Sequence, residues 1–206
     1  MNLNDLFKKY NCDKSEDKHG YVKEYQKCLE PLREKEINVL EVGVWKGTSV
    51  SALHDYLPKA EIYGLDIFTR VPVEDVPVLK RDRVQWLKAD STSKNIQASI
   101  KEKWRDVKFD VIIDDGLHTP EANAKTFENL IPFLKDDGVF YIEDVWPLDI
   151  MTEQEWKHSW MSKNKGKYNM NKWKVFEKAI EGYNVERIDL RKESNMPDSY
   201  IFRITK

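Results

Sequence analysis

Two apolar runs in this chain end in paired acids. Residues 110–118 read DVIIDDGLH and residues 139–145 read VFYIEDV. If these are neighbouring parallel strands, their carboxyl ends lie roughly 5 Å apart, and Asp114, Asp115, Glu143 and Asp144 converge. Four carboxylates that close repel one another unless a cation sits among them. Hard oxygen donors favour Mg2+ or a similar divalent ion. Side chains alternate along an extended chain, so all four cannot face one ion. Asp115, Glu143 and Asp144 are the expected metal ligands, and Asp114 is left to face a cofactor or the loop backbone. A plainer alternative has the acids capping helix N-termini nearby.

His118 lies three residues beyond Asp115, at the lip of the same expected pocket. A neutral imidazole there can take a proton from a metal-bound hydroxyl, whose pKa the metal lowers. His118 is therefore the expected general base. The other histidines lack this setting: His19 falls in a charged loop, His54 on a helix and His158 in a basic segment.

The elements that must position these groups alternate in type. Strands are expected at 37–42, 61–66, 84–89, 109–114 and 138–144, with helices at about 48–57, 93–104 and 120–134 between them. Thr119-Pro120 opens the last helix with an N-cap and a proline at the first helical position. The alternation predicts an α/β fold with a parallel sheet covered on both faces. After it come a helix at 171–183 and strands at 185–191 and 199–205, joined by a short turn and paired antiparallel. Residues 1–36 form a helical lead-in with a charged loop, NCDKSEDKHG. One domain is expected: lead-in, a 37–145 core, a 146–182 lid and helix on the substrate side, and a 183–206 hairpin.

The core opens with VLEVGVWKGTSVSAL (39–53), an E-x-G-x-x-x-G pattern containing Glu41, Gly43 and Gly47 before a helix begun by Thr48. The glycines let backbone approach a ligand, and the helix start supplies free N–H groups. The third glycine of a dinucleotide fingerprint is missing, which suits a ligand without phosphates and disfavours a nicotinamide-binding domain. Asp66 ends the second strand, placed to accept from both hydroxyls of a ribose. Asp90 ends the third, where an acid can accept from an adenine amino group. These groups fall in order at the carboxyl ends of successive strands, where open α/β sheets bind ligands.

On these residues and the terminal hairpin the chain resembles the class I methyltransferases, whose Rossmann-like seven-stranded sheet binds S-adenosylmethionine (SAM). That resemblance implies SAM contacts at Glu41, Gly43, Gly47, Thr48, Asp66, Asp90 and Asp114. The stretch DVIIDDGLHTPEANAKTFENLIPFLKDDGVFYIEDV resembles the metal-dependent O-methyltransferases of macrolide and related natural-product sugars. In that family the D-x-x-H pair, here Asp115 and His118, supplies a metal ligand and the base, and the E-D pair, here Glu143 and Asp144, supplies further ligands. The lead-in CDKSEDKHGYVKEYQKCLEPLR carries the family's D-K, H-x-Y and Y-x-x-x-L spacing. The resemblance covers about residues 5–146 and implies SAM and Mg2+ as cofactors and a sugar-containing small molecule or glycan as acceptor, with rhamnose one example. The D-D-G-L sequence after the fourth strand lacks the [DN]-P-P-[YF] motif of amino-directed methyltransferases.

Composition narrows the remaining classes. Balanced charge, 34 basic residues against 36 acidic, argues against a nucleic-acid binder. Cys12 and Cys28 make no disulfide framework and read as reduced cytoplasmic thiols. No apolar run approaches the roughly 20 residues of a membrane span, and the polar start lacks a signal peptide's apolar stretch. A cytoplasmic enzyme is expected, and a homo-oligomer is compatible with the resemblance. Between Lys157 and Lys178 lie seven lysines and one glutamate, interleaved with aromatics. Aromatic rings there can stack on a sugar and lysines can meet an anionic acceptor group; a solvated lid explains the lysines equally well. Two rivals remain: a catechol-type O-methyltransferase using the same metal logic, and a nucleic-acid-modifying protein using residues 157–178.

Overall fold

The computed structural model describes residues 1–206, the side chain of Trp160 excepted. Five strands run parallel: β1 (Asn38–Val42), β2 (Glu61–Asp66), β3 (Val84–Lys88), β4 (Phe109–Asp114) and β5 (Leu134–Ile142). β6 (Asn184–Asp189) and β7 (Tyr200–Thr205) complete a seven-stranded sheet in the order β3-β2-β1-β4-β5-β7-β6. β7 lies antiparallel to both its neighbours. This is the parallel α/β sheet with an antiparallel terminal pair that the alternation and hairpin predict, in the Rossmann-like seven-stranded form that the resemblance implies.

Alternation along the strands divides the core in two. Val39, Val111, Ile113, Val139 and Tyr141 face one way and pack against α1 (Leu3–Lys9), α2 (Val22–Leu29) and α3 (Thr48–Tyr56). Leu40, Val42, Ile112, Phe140 and Ile142 face the other. There they meet α4 (Ile96–Trp104), α5 (Pro120–Leu130) and α7 (Met170–Ala179). Strand order reverses at β1, whose following helix packs on one face while the helix after β4 packs on the other. A crevice must therefore open between the carboxyl ends of β1 and β4.

Several boundaries differ from the sequence expectations. β5 starts at Leu134, ahead of the expected 138, and its pairing with β4 slips between Phe109 and Val111. The slip accommodates the Asp136-Asp137-Gly138 stretch. α5 stops at Leu130 because Pro132, with no N–H to give, turns the chain into a 3-10 segment, Ile131–Phe133. α7 ends at Ala179, ahead of the expected 183, with Gly182 at φ 87° in the turn beyond it. The β6–β7 connection is no short turn: it holds α8 (Arg191–Ser194), closed by Asn195 at φ 55°. α6 (Glu153–His158), sealed by a Thr152–Glu155 capping box, was not expected at all. The charged loop at 11–20 is not simply solvated, since Cys12, Lys14, Ser15 and His19 are buried. Among the described residues no helix is long and apolar enough to cross a membrane.

Candidate active site

The acids lie just past the strand ends. Asp114 pairs with Ile142 at the last rung of the β4–β5 ladder, and the Asp115 N–H donates to the Val42 carbonyl at 2.9 Å. Asp115 therefore bridges the ends of β1 and β4, which is why Gly43 must be glycine. It sits at φ 88°, and a Cβ there would come within 1.9 Å of the Asp115 carbonyl oxygen. Asp144 takes a left-handed conformation, φ 51°, that aspartate tolerates better than most residues. Glu143 is 1% exposed, whereas the Asp144 side chain keeps 18% exposure beside His118.

His118 is held by the turn before α5. Thr119 caps that helix by accepting from the Ala122 N–H, and Pro120 fixes its first residue. The ring places Nδ1 3.3 Å from the Glu143 carbonyl, and Nε2 3.6 Å from Asp115 Oδ1 and 3.9 Å from Asp144 Oδ2. One donor atom each from Asp115, His118 and Asp144 lies within 4.8 Å of the others. Two carboxylate oxygens this close suit a hard divalent cation, with the imidazole beside them free to act as a base. Burial works to lower the His118 pKa, but Asp144, Asp115 and Asp114 outweigh it and hold the ring above its ordinary value.

The carboxylate oxygens of Glu143 are not part of that open group. Oε1 accepts from the Tyr25 hydroxyl and Oε2 lies 2.6 Å from the Lys14 ammonium. Lys14 is 2% exposed, also reaches Asp115 Oδ2 at 2.6 Å, and stands 3.9 Å from Glu41. Burial favours the neutral amine, yet the charges of Asp115 and Glu143 overcome it and keep Lys14 protonated. Burial pushes the Glu143 pKa upward against the pull of Lys14. Removing one partner of such a buried pair costs about 3–5 kcal/mol, because the other charge is stranded. Neither Lys14 nor Tyr25 was singled out as a site residue; a lysine in a charged loop reads as solvated until the fold buries it. The only sequence signal was the D-K and Y-x-x-x-L spacing of the lead-in.

The expected cofactor residues line the neighbouring strand ends. Asp66 accepts from the Trp45 N–H at 2.9 Å through Oδ2 and from the Phe68 N–H at 2.6 Å through Oδ1, which ties the glycine turn to β2. Asp90 is exposed and takes the Thr92 N–H and hydroxyl on Oδ1 alone, leaving Oδ2 uncommitted. Gly47 is the N-cap of α3 at φ 71°, with Thr48 the first helical residue; a Cβ on Gly47 would meet Val78 at 2.5 Å. Both glycines are thus required by the chain's own packing. Asp114 is 4% exposed and accepts from the Gly116 N–H at 3.3 Å; burial pushes its carboxyl up to about 7. Glu41 is 1% exposed, its oxygens have no hydrogen-bond partner, and burial pushes it up to about 7. It lies beneath the turn, beside Lys14, apart from Asp66 and Asp90. Trp45, Ile67 and Leu117, exposed by 49%, 49% and 62%, project from the loops after β1, β2 and β4.

A narrow slot adjoins His118, lined by Pro120, Asn123, Val145, Trp146, Trp173 and Phe176. The buried Trp173 indole N–H has no hydrogen-bond partner among the described residues. Six of the seven lysines between 157 and 178 are exposed, and Lys172 pairs with Glu121 at 2.5 Å.

A crevice at a strand-order reversal, edged by ordered acids and a glycine turn, defines a nucleoside-cofactor α/β domain. The chain belongs to the methyltransferase-domain family, whose model matches residues 40–145. It is 27% identical over 151 residues to mycinamicin VI 2''-O-methyltransferase of Micromonospora griseorubida, covering 70% of this chain and 36% of that protein. It is 26% identical over 135 residues to the 8-demethyl-8-(2-methoxy-alpha-L-rhamnosyl)-tetracenomycin-C 3'-O-methyltransferase of Streptomyces olivaceus, covering 62% and 33%. The MycE methyltransferase of the mycinamycin pathway, solved in complex with Mg and SAH, superposes with a TM-score of 0.71 at 21% identity, over 100% of this chain and 55% of that one. The chain thus spans about a third of the length of the curated relatives, 36% and 33%.

Proposed function

We propose that this chain is a SAM- and Mg2+-dependent O-methyltransferase acting on a sugar hydroxyl, with His118 as general base. The observation that carries the reading is the approach of His118 Nε2 to uncommitted oxygens of Asp115 and Asp144 at 3.6 and 3.9 Å. In support stand relatives whose names carry sugar groups, rhamnosyl among them. When bound, SAM supplies the methyl group and the divalent ion acidifies and orients the acceptor hydroxyl.

The protein's own residues do the rest. Asp66 and Asp90 accept from the ribose and adenine ends of the cofactor, and Glu41, Gly43, Gly47, Thr48 and Asp114 shape the turn around it. Asp115 and Asp144 would hold the ion, and Glu143 could join them only by giving up Lys14 or Tyr25. His118 must be neutral to take a proton, and its raised pKa depends on the uncompensated charge of Asp144 and Asp115. Once committed to a cation, those carboxylates no longer hold the proton on the ring. The slot beside His118, about 10 Å³, has room for no more than a water molecule, so the acceptor sugar is proposed to sit outside it, on the open side of His118. A deoxysugar such as rhamnose, in a glycoside or glycan, is the proposed acceptor. The lead-in, the 37–145 core, the 146–182 acceptor side and the terminal hairpin serve as one unit.

The reading is tested by methyl transfer from labelled SAM to a panel of rhamnosides and other glycosides, with a catechol and a short RNA as comparison arms. Labelled glycoside supports it. Label on the catechol or the RNA alone would replace it with the corresponding rival.

A further inference from the structure

Four lead-in residues approach the acids: Lys14, Tyr21, Tyr25 and His19, whose Nδ1 lies 3.5 Å from Asp144 Oδ1 although the sequence offered it no such setting. Lys14 takes Asp115 Oδ2, leaving Asp115 Oδ1 toward His118. Tyr21 donates its hydroxyl proton to Asp144 Oδ1 at 2.7 Å, leaving Asp144 Oδ2 toward His118. Tyr25 and Lys14 together take both oxygens of Glu143. Tyr21 also accepts from the Asp144 backbone N–H at 3.3 Å, so it grips both ends of the residue. It is itself immobilised: 1% exposed and stacked on His19 at 5.3 Å. His19 is fixed in turn by Ser199, at 2.9 Å from Nδ1.

We propose that Tyr21 is a positioning residue for metal binding: by holding Asp144 Oδ1 it leaves Oδ2 free, with Asp115 Oδ1, to meet the ion. This rests on the proposed metal reading. Asp144 lies two residues beyond the end of β5 at Ile142 and takes a left-handed conformation, so strand geometry alone does not fix its carboxylate. With Tyr21 in place, one rotamer is selected before the ion arrives, and the ordering cost is met during folding. Tyr21 acts through Asp144, since its buried hydroxyl is occupied by that residue and by the Asp198 carbonyl, 3.1 Å away. Partners of this kind typically change metal affinity by 10–100-fold when removed.

The test is Mn2+ binding to the full chain by calorimetry, comparing wild type, Tyr21→Phe and Tyr56→Phe. Tyr56 is equally buried and its hydroxyl also donates to a carboxylate, that of Glu30, at the end of α3 away from the acids. It therefore reports what losing such a hydrogen bond does to stability alone. Tyr21→Phe should weaken Mn2+ binding 10–100-fold while its Tm falls no further than that of Tyr56→Phe, whose Mn2+ affinity stays at the wild-type value. Wild-type affinity in Tyr21→Phe, or an equal loss in both variants, overturns the positioning role. If the wild-type chain takes up no Mn2+, the metal reading itself fails and the inference falls with it.

Discussion

His118 occupies a position where charge and geometry oppose each other until a cation arrives. Asp144, Asp115 and Asp114 stabilise its protonated form, whereas removing a proton from an acceptor hydroxyl requires the neutral ring. Loss of a positioned base usually costs roughly 10²–10⁴-fold. His118→Ala should therefore reduce kcat within that span, with SAH affinity by calorimetry unchanged; wild-type turnover would assign the proton to another group. Glu41 gives a separate pH signature. Burial raises its folded pKa to about 7, against about 4.3 for an unfolded glutamate. Below about pH 4 both states are protonated and the group contributes nothing. Between the two values the unfolded chain releases a proton that the folded protein keeps, so stability falls as pH rises, and the loss is complete above about pH 7. Thermal unfolding from pH 5 to 7.5 should show this slope, to which Asp114, also raised to about 7, adds, and Glu41→Gln should lessen it. An unchanged slope in the variant would mean that Glu41 ionises freely. At this scale the acids, His118 and Asp66 were legible from strand-end positions. Lys14, His19, Tyr21 and Tyr25 were not, because their roles depend on a loop folding inward against strands more than a hundred positions away in sequence, as in the Lys14–Glu143 separation of 129.

The elements set how precisely these groups are held. The glycine turn after β1 is pinned from two sides: the Asp115 backbone crosses Gly43, and Asp66 holds the Trp45 and Phe68 N–H groups. Asp66 therefore has a structural task besides its proposed ribose contacts, and two substitutions separate them. Asp66→Asn keeps a carbonyl oxygen for one backbone donor but loses the charge, whereas Asp66→Ala loses both. A hydrogen bond to a charged group is worth about 1.5–3 kcal/mol, so Asp66→Ala should weaken SAH binding by on the order of 10- to 100-fold, with Asp66→Asn intermediate. Unchanged calorimetric affinity in both would remove Asp66 from the cofactor site. Strand and helix identities were readable from apolar periodicity and from Thr119-Pro120. The start of β5 was hidden because Leu134-Lys135-Asp136-Asp137 carries turn-forming acids that the sheet nonetheless incorporates. The end of α5 could have been placed from Pro132. α8 and α6 lie in polar segments whose patterns are too short to show a period.

Across the whole molecule, the lead-in and the hairpin meet at the site. Tyr21 and His19 come from one end of the chain and Ser199 from the other, and both ends close on Asp144. Most of the lysines of 157–178 project to solvent. What unites the chain is the acid cluster between the proposed cofactor crevice and the aromatic slot. The most direct measurement is labelled methyl transfer from SAM to an accepted glycoside after exhaustive chelation, followed by Mg2+ add-back. Transfer should fall to background without the ion and return on its addition, with SAH affinity largely retained throughout. Full transfer by the chelated protein would contradict a metal held by Asp115 and Asp144, and with it the chemistry assigned to His118.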